Sequence, residues 1–275
     1  MKRDVCMEDL FEILEKVSVV NRDNGKKFTC LDRLDAIAGI LWHSQYRRID
    51  SNGLFHLYSK KPSFEVLEPV ILVSSHVDCE KGITRCFSRF EGEDMMLGTF
   101  DNSITNAAII SAMLSDELPD SVLVAFTGDE ERKSRGADDL VDFLQLRKVC
   151  VQGLVVLDVT DMGWEEMADF TVENNFWPKP LGKQVVSFAE RTKCNWRFVP
   201  SNPWKIPKYI DYSYLIGEEA EEDESWEYDE KGMPCFSFCL PVKGEMHSDD
   251  GVLVRKKSFE CFAAVLKEML KVLAY

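Results

Sequence analysis

The chain has 275 residues, 45% apolar and 29% charged, a balance that suits a soluble globular protein of one large or two small domains. Its net charge of −15, from 33 basic and 48 acidic residues, argues against nucleic acid and anionic membrane surfaces as partners, since both call for a basic face. No apolar run approaches the roughly 18 residues of a membrane span, and the N-terminal MKRDVCMEDL lacks the apolar core of an export signal, so a cytoplasmic location is expected.

In chain order, MEDLFEILEKVSVV places Leu10, Phe11, Leu14 and Val17 at helical spacing, and a second helix follows through Leu31, Leu34, Ile37, Ile40 and Leu41. Strands are expected at residues 54–59, 69–75, 121–127, 153–157 and 234–240. The runs VILV, VLVAF and LVVL are continuously apolar, as in strands covered on both faces. Helices are expected at 103–115, 134–146, 180–192 and 258–273, the last with Phe259, Phe262, Leu266, Met269, Leu270 and Leu273 on one stripe. Alternating strands and helices predict an α/β fold: three layers, α/β/α, around a mixed, mainly parallel central sheet. Nothing breaks residues 1–275 into two domains. The stretch 174–217, rich in Trp and Pro, reads as loops over one face. The acidic segment EEAEEDESWEYDE, residues 218–230, reads as a solvated, flexible insertion. The nine cysteines contain no CxxC pair and read as buried free thiols, with Cys235 and Cys239 on one side of a strand. Cys79 has no evident partner.

Open α/β sheets bind ligands beyond the carboxyl ends of their strands, so the residues just past each apolar run matter most. They are His76 with Asp78, Asp101 with Asn102, Glu130 and Glu131, Asp158, and His247. Each alone has an ordinary structural role, such as a helix cap, a turn or a solvated loop. Together they form a ligand set, and two of the chain's four histidines stand among them. Zinc takes imidazole and carboxylate ligands. Two ions could each take one histidine and one carboxylate and share a third carboxylate, for which Asp101 is central in sequence. Asp78, two residues from His76 on an extended chain, can orient its imidazole. Of Glu130 and Glu131, one can ligate while the other serves as general base.

This order of HxD, D[DN] before a helix, EE, D and H resembles the co-catalytic di-zinc aminopeptidases, in particular the glutamyl and tetrahedral enzymes and the bacterial leucyl aminopeptidases. FTGDEERKSRGA, LDVT and LPVKGEMHSDDGV carry the likeness, which spans about residues 70–273. It implies that His76 and Asp158 hold one metal and that Glu131 and His247 hold the other. Asp101 would bridge them, Glu130 act as general base and Asp78 orient His76, with a cis peptide between Asp101 and Asn102. It implies two divalent ions, zinc first, with cobalt and manganese also compatible, and a peptide or small amide substrate. The intervals His76–Asp101 and Asp158–His247 leave no room for an inserted assembly or lid domain, so a bare catalytic domain is expected. No histidine stands out to stabilise a tetrahedral intermediate; Tyr209, Tyr212 and Tyr214 are candidates. A deacylase or carboxypeptidase of the same superfamily and a non-catalytic metal-binding scaffold are the competing readings. The oligomeric state is left open.

Overall fold

The continuously apolar runs become neighbouring strands because helices cover them on both faces. The computed structural model describes residues 7–20, 30–62, 69–174, 179–199 and 223–274. In chain order the strands are β1 (Arg47–Ser51), β2 (Phe55–Ser59), β3 (Val70–His76), β4 (Ser88–Glu91), β5 (Met95–Gly98), β6 (Val122–Thr127), β7 (Val151–Thr160), β8 (Phe170–Glu173), β9 (Trp196–Val199), β10 (Cys235–Pro241) and β11 (Val252–Arg255). The helices are α1 (Met7–Val17), α2 (Leu31–Leu41), α3 (Ser103–Leu114), α4 (Glu130–Lys133), α5 (Arg135–Leu146), α6 (Lys179–Ala189), α7 (Glu224–Glu230) and α8 (Lys256–Leu273).

Eight strands form the central sheet in the order β1-β2-β6-β3-β7-β10-β8-β9. The inner four, β6, β3, β7 and β10, are parallel, while β2 and β8 flank them antiparallel. Alternation along the strands sorts side chains between two cores. Ile71, Val73, Val122, Val124, Val155 and Phe238 face α1, α2, α3, α6 and α8. Leu72, Leu123, Ala125, Leu154 and Val156 face α5 and α7. The result is the expected three-layer α/β/α arrangement. Helix α3 is buried from Ser103 to Met113, apolar or small on every side, because it lies inside the first helical layer. None of the helices is long and apolar enough to cross a membrane among the described residues.

A separate three-stranded sheet, β11-β5-β4, holds the segment between His76 and Asp101. The apolar run just before Asp101 therefore belongs to this sheet and not to the central one. Two further expectations change. Residues 224–230 are helix α7, not solvated loop: Glu224, Ser225 and Tyr228 are buried, and the Asp223 carboxylate caps the helix through Ser225 N at 2.9 Å. Residues 218–222 lie outside the described residues. Cys194 and Cys261 form a disulfide, with Cα atoms 6.3 Å apart, joining the end of the α6 segment to α8. Pairing across 67 residues leaves no local signature. Cys30, Cys79, Cys235 and Cys239 are the expected buried free thiols.

Candidate metal centre

His76 closes β3. Glu130 and Glu131 follow β6, and Asp158 lies within β7, opposite Cys239 of β10. Asp101 arrives from the small sheet, three residues past β5, and its peptide to Asn102 is cis, as the resemblance implies. His247 sits on the loop between β10 and β11, which is pinned by the paired backbones of Lys243 and Leu253. His76, Asp78, Asp101, Glu130, Glu131, Asp158 and His247 thus converge at one end of the parallel strands, although Asp101 and His247 come from outside the central sheet.

The distances divide them into two groups sharing one residue. Asp101 Oδ1 lies 3.0 Å from His76 Nε2, which lies 3.5 Å from Asp158 Oδ1. Asp101 Oδ2 lies 3.3 Å from His247 Nε2, which lies 3.4 Å from Glu131 Oε2. Glu130 joins His76 and Glu131 in a third cluster whose ligand-type atoms are mutually within 4.8 Å. His76 is buried, whereas the His247 side chain is 53% exposed and stands at the mouth.

Hydrogen bonds hold this arrangement from behind. The fully buried Asp78 carboxylate accepts from Glu130 N at 3.2 Å and Glu131 N at 3.1 Å. The same group faces His76 Nδ1 across 3.5 Å, with no hydrogen bond closed between them. Asn106 Nδ2 donates to His76 O and Asn102 O, tying the loops of His76 and Asp101 together. The EE turn is closed by Gly136 N donating to Gly128 O, and Arg135 pairs with the buried Asp129 carboxylate through Nε and Nη2.

The electrostatics call for cations. Burial, reinforced by neighbouring carboxylates, pushes Glu131 up to about 8 and Asp158 up to about 6 despite His76, and raises Glu130 well above its usual range. Asp101 goes the other way: burial opposes its ionisation, but hydrogen bonds from His247 and His76 outweigh it. The hydrogen bond to Asp101 is the largest cause raising His247 to about 9. Glu131 Oε1 is buried with no hydrogen-bond partner. Crowded, desolvated carboxylates beside imidazoles, one of them with an orphaned oxygen, fit divalent cations.

The groups line a cleft of about 490 Å³, in the range of small-ligand sites. One wall was not legible in the sequence: Asp223, Trp226 and Glu227 come from the start of α7. Two aromatic residues within the acidic run were the available signal, since solvated linkers are poor in them. Arg132 and Lys133 also line the cleft. Tyr209, Tyr212 and Tyr214 lie outside the described residues.

No family model and no curated protein matches the chain. Solved structures do. A TET aminopeptidase from a marine sediment Thaumarchaeota archaeon superposes with a TM-score of 0.72 at 11% identity, over 96% of this chain and 97% of the other. Aminopeptidase APDkam598 from the archaeon Desulfurococcus kamchatkensis gives 0.70 at 11%, over 96% and 95%. The chain has the fold of these aminopeptidases. The Pyrococcus horikoshii TET1 peptidase, which can assemble into a tetrahedron or a large octahedral shell, gives 0.67 at 13% identity, over 97% of this chain and 99% of its own. At such identities the likeness speaks for the fold, and the chemistry rests on the site.

Proposed function

We propose that the protein is a di-zinc aminopeptidase acting on a peptide or small peptide-like amide, with residues 1–275 as a single catalytic domain. The observation that carries this reading is Asp101, whose two oxygens face separate histidine–carboxylate pairs. His76 and Asp158 would hold one ion, Glu131 and His247 the other, and Asp101 both. Two such ions lower the pKa of a water and polarise the scissile carbonyl. Glu130 takes the proton of the attacking water and returns it to the departing amine nitrogen. Its raised affinity for protons, set by burial, suits a group that must hold one between the two transfers. Asp78 orients His76 and, through two backbone amides, aims Glu130 and Glu131.

The test combines metal analysis and turnover. Zinc-reconstituted protein is expected to hold two equivalents and to release amine from free aminoacyl anilides but not from their N-acylated forms. Glu130→Gln is expected to keep both ions while kcat falls by about 10²–10⁴-fold. Unchanged turnover in that variant removes the mechanism, and failure to bind zinc removes the site assignment. Arg132 and Lys133 in the cleft favour a second reading, a carboxypeptidase that pairs them with a free carboxylate. Cleavage abolished by C-terminal amidation of the substrate would establish it.

A further inference from the structure

Cys79 and Cys86 take no part in the chemistry above, yet they sit between two of its supports. Cys79 is buried and follows Asp78; Cys86 is half-buried, with its Sγ 4.0 Å from that of Cys79. The fully buried Arg33 reaches both sulfurs, its Nη2 lying 3.0 Å from Cys79 Sγ and 3.6 Å from Cys86 Sγ. The connecting residues 80–85 adopt neither helix nor strand, so no regular backbone ladder holds the two sulfurs apart. At the near end, Asp78 clamps the amides of Glu130 and Glu131. At the far end, Thr84 N donates to the Asp249 carboxylate at 2.8 Å, and Arg85 Nη2 donates to Asp249 O at 2.9 Å. Asp249 is two residues from His247.

We propose that Cys79 and Cys86 are a reversible thiol–disulfide modification site, oxidised by a hydroperoxide, whose closure disturbs the Glu131–His247 half of the cleft. The effect on the cleft rests on the metal reading above; the modification itself does not. A disulfide needs its sulfurs roughly 2 Å apart, so closure draws together a segment anchored at both ends to the site. It also takes thiolate charge away from the buried guanidinium of Arg33. Cys86 is the attacking sulfur. A hydrogen bond from Cys79, with help from Arg33 and Thr99, outweighs burial and holds its thiol down to about 6, and the thiolate is the reactive form.

The steps balance. Cys86 Sγ attacks one peroxide oxygen; the S–O bond forms, the O–O bond breaks, and hydroxide leaves with the thiol's proton as water. Cys79 Sγ then attacks the sulfenic sulfur; the S–S bond forms, the S–O bond breaks, and hydroxide leaves with the second proton as water. The two thiols give up two electrons, which the peroxide accepts.

Trypsin separates the outcomes because Lys81 and Arg85 lie between the cysteines. Full-length, zinc-loaded protein is treated with hydrogen peroxide, digested without reductant and mapped by mass spectrometry, and its zinc content is measured. The expected result is a peptide ending CEK joined to CFSR, which dithiothreitol separates, together with zinc affinity weakened at least tenfold and regained on reduction. Cys86→Ser is expected to give no joined peptide and to keep its zinc under peroxide. Cys79→Ala serves the same purpose if the first variant does not fold. Cys86 found as sulfinic acid with no joined peptide overturns the proposal. A joined peptide with unchanged zinc affinity overturns the link to the cleft. A reduced protein that binds no zinc overturns the metal reading, and the peptide map still decides the modification.

Discussion

Asp78 does two jobs with one carboxylate. Each of its oxygens accepts one backbone amide of the EE pair, and Oδ1 also faces the rear nitrogen of His76. An imidazole that coordinates through one nitrogen is commonly oriented through the other, and loss of such a partner costs 10–100-fold in metal affinity. Asp78→Ala removes the carboxylate that faces the imidazole and frees the turn bearing Glu130 and Glu131. Its zinc affinity is expected to fall toward the upper end of that range, measured by competition with a chromophoric chelator. Asp78→Asn keeps an acceptor for one amide and is expected to fall between wild type and Asp78→Ala. Equal affinities in all three proteins would show that the turn and the imidazole hold their places without Asp78.

The EE turn depends on two chain segments meeting closely. A Cβ on Gly136 would lie 2.5 Å from both N and O of Gly128, a contact with backbone that no rotamer relieves. Gly136→Ala is therefore expected to cost about 1–3 kcal/mol in urea unfolding and to lower kcat by shifting Glu130. Gly39→Ala, on helix α2 with nothing near the added carbon, is expected to gain about 0.5–1 kcal/mol and leave turnover alone. The same contrast explains what the sequence disclosed. VILV, VLVAF and LVVL announced β3, β6 and β7 because strands buried on both faces need no partner to reveal them. RRIDS, FTVE and WRFV became β1, β8 and β9 only through their neighbours, since the preference for a strand depends on what packs beside it. The candidate ligands were legible as residue types in a fixed order. The origin of Asp101 in a second sheet, the α7 wall and the Cys79–Cys86–Arg33 cluster were not, because each depends on contacts between residues far apart in the chain.

Among the described residues, Glu173 and Glu224 are carboxylates beyond the candidate ligand set that are also buried. Burial pushes Glu173 and Glu224 each up to about 7, against hydrogen bonds from Thr171 and Ser74 respectively. The sign follows from proton binding. Between pH 4.5 and about 7 the folded chain keeps these protons while the unfolded chain has released them. Raising the pH through this window therefore lowers stability, and the loss is complete above it. For Glu173 the gap between 4.5 and about 7 corresponds to about 3 kcal/mol at most. Glu173→Gln is neutral at every pH and keeps an oxygen for Thr171. It is expected to match wild type near pH 4 and to exceed it by up to that amount at pH 8, read from urea unfolding at the two pH values. A stability difference that does not change with pH would mean that Glu173 titrates as it does in the unfolded chain, and that the acidic interior beside the cleft is hydrated rather than dry.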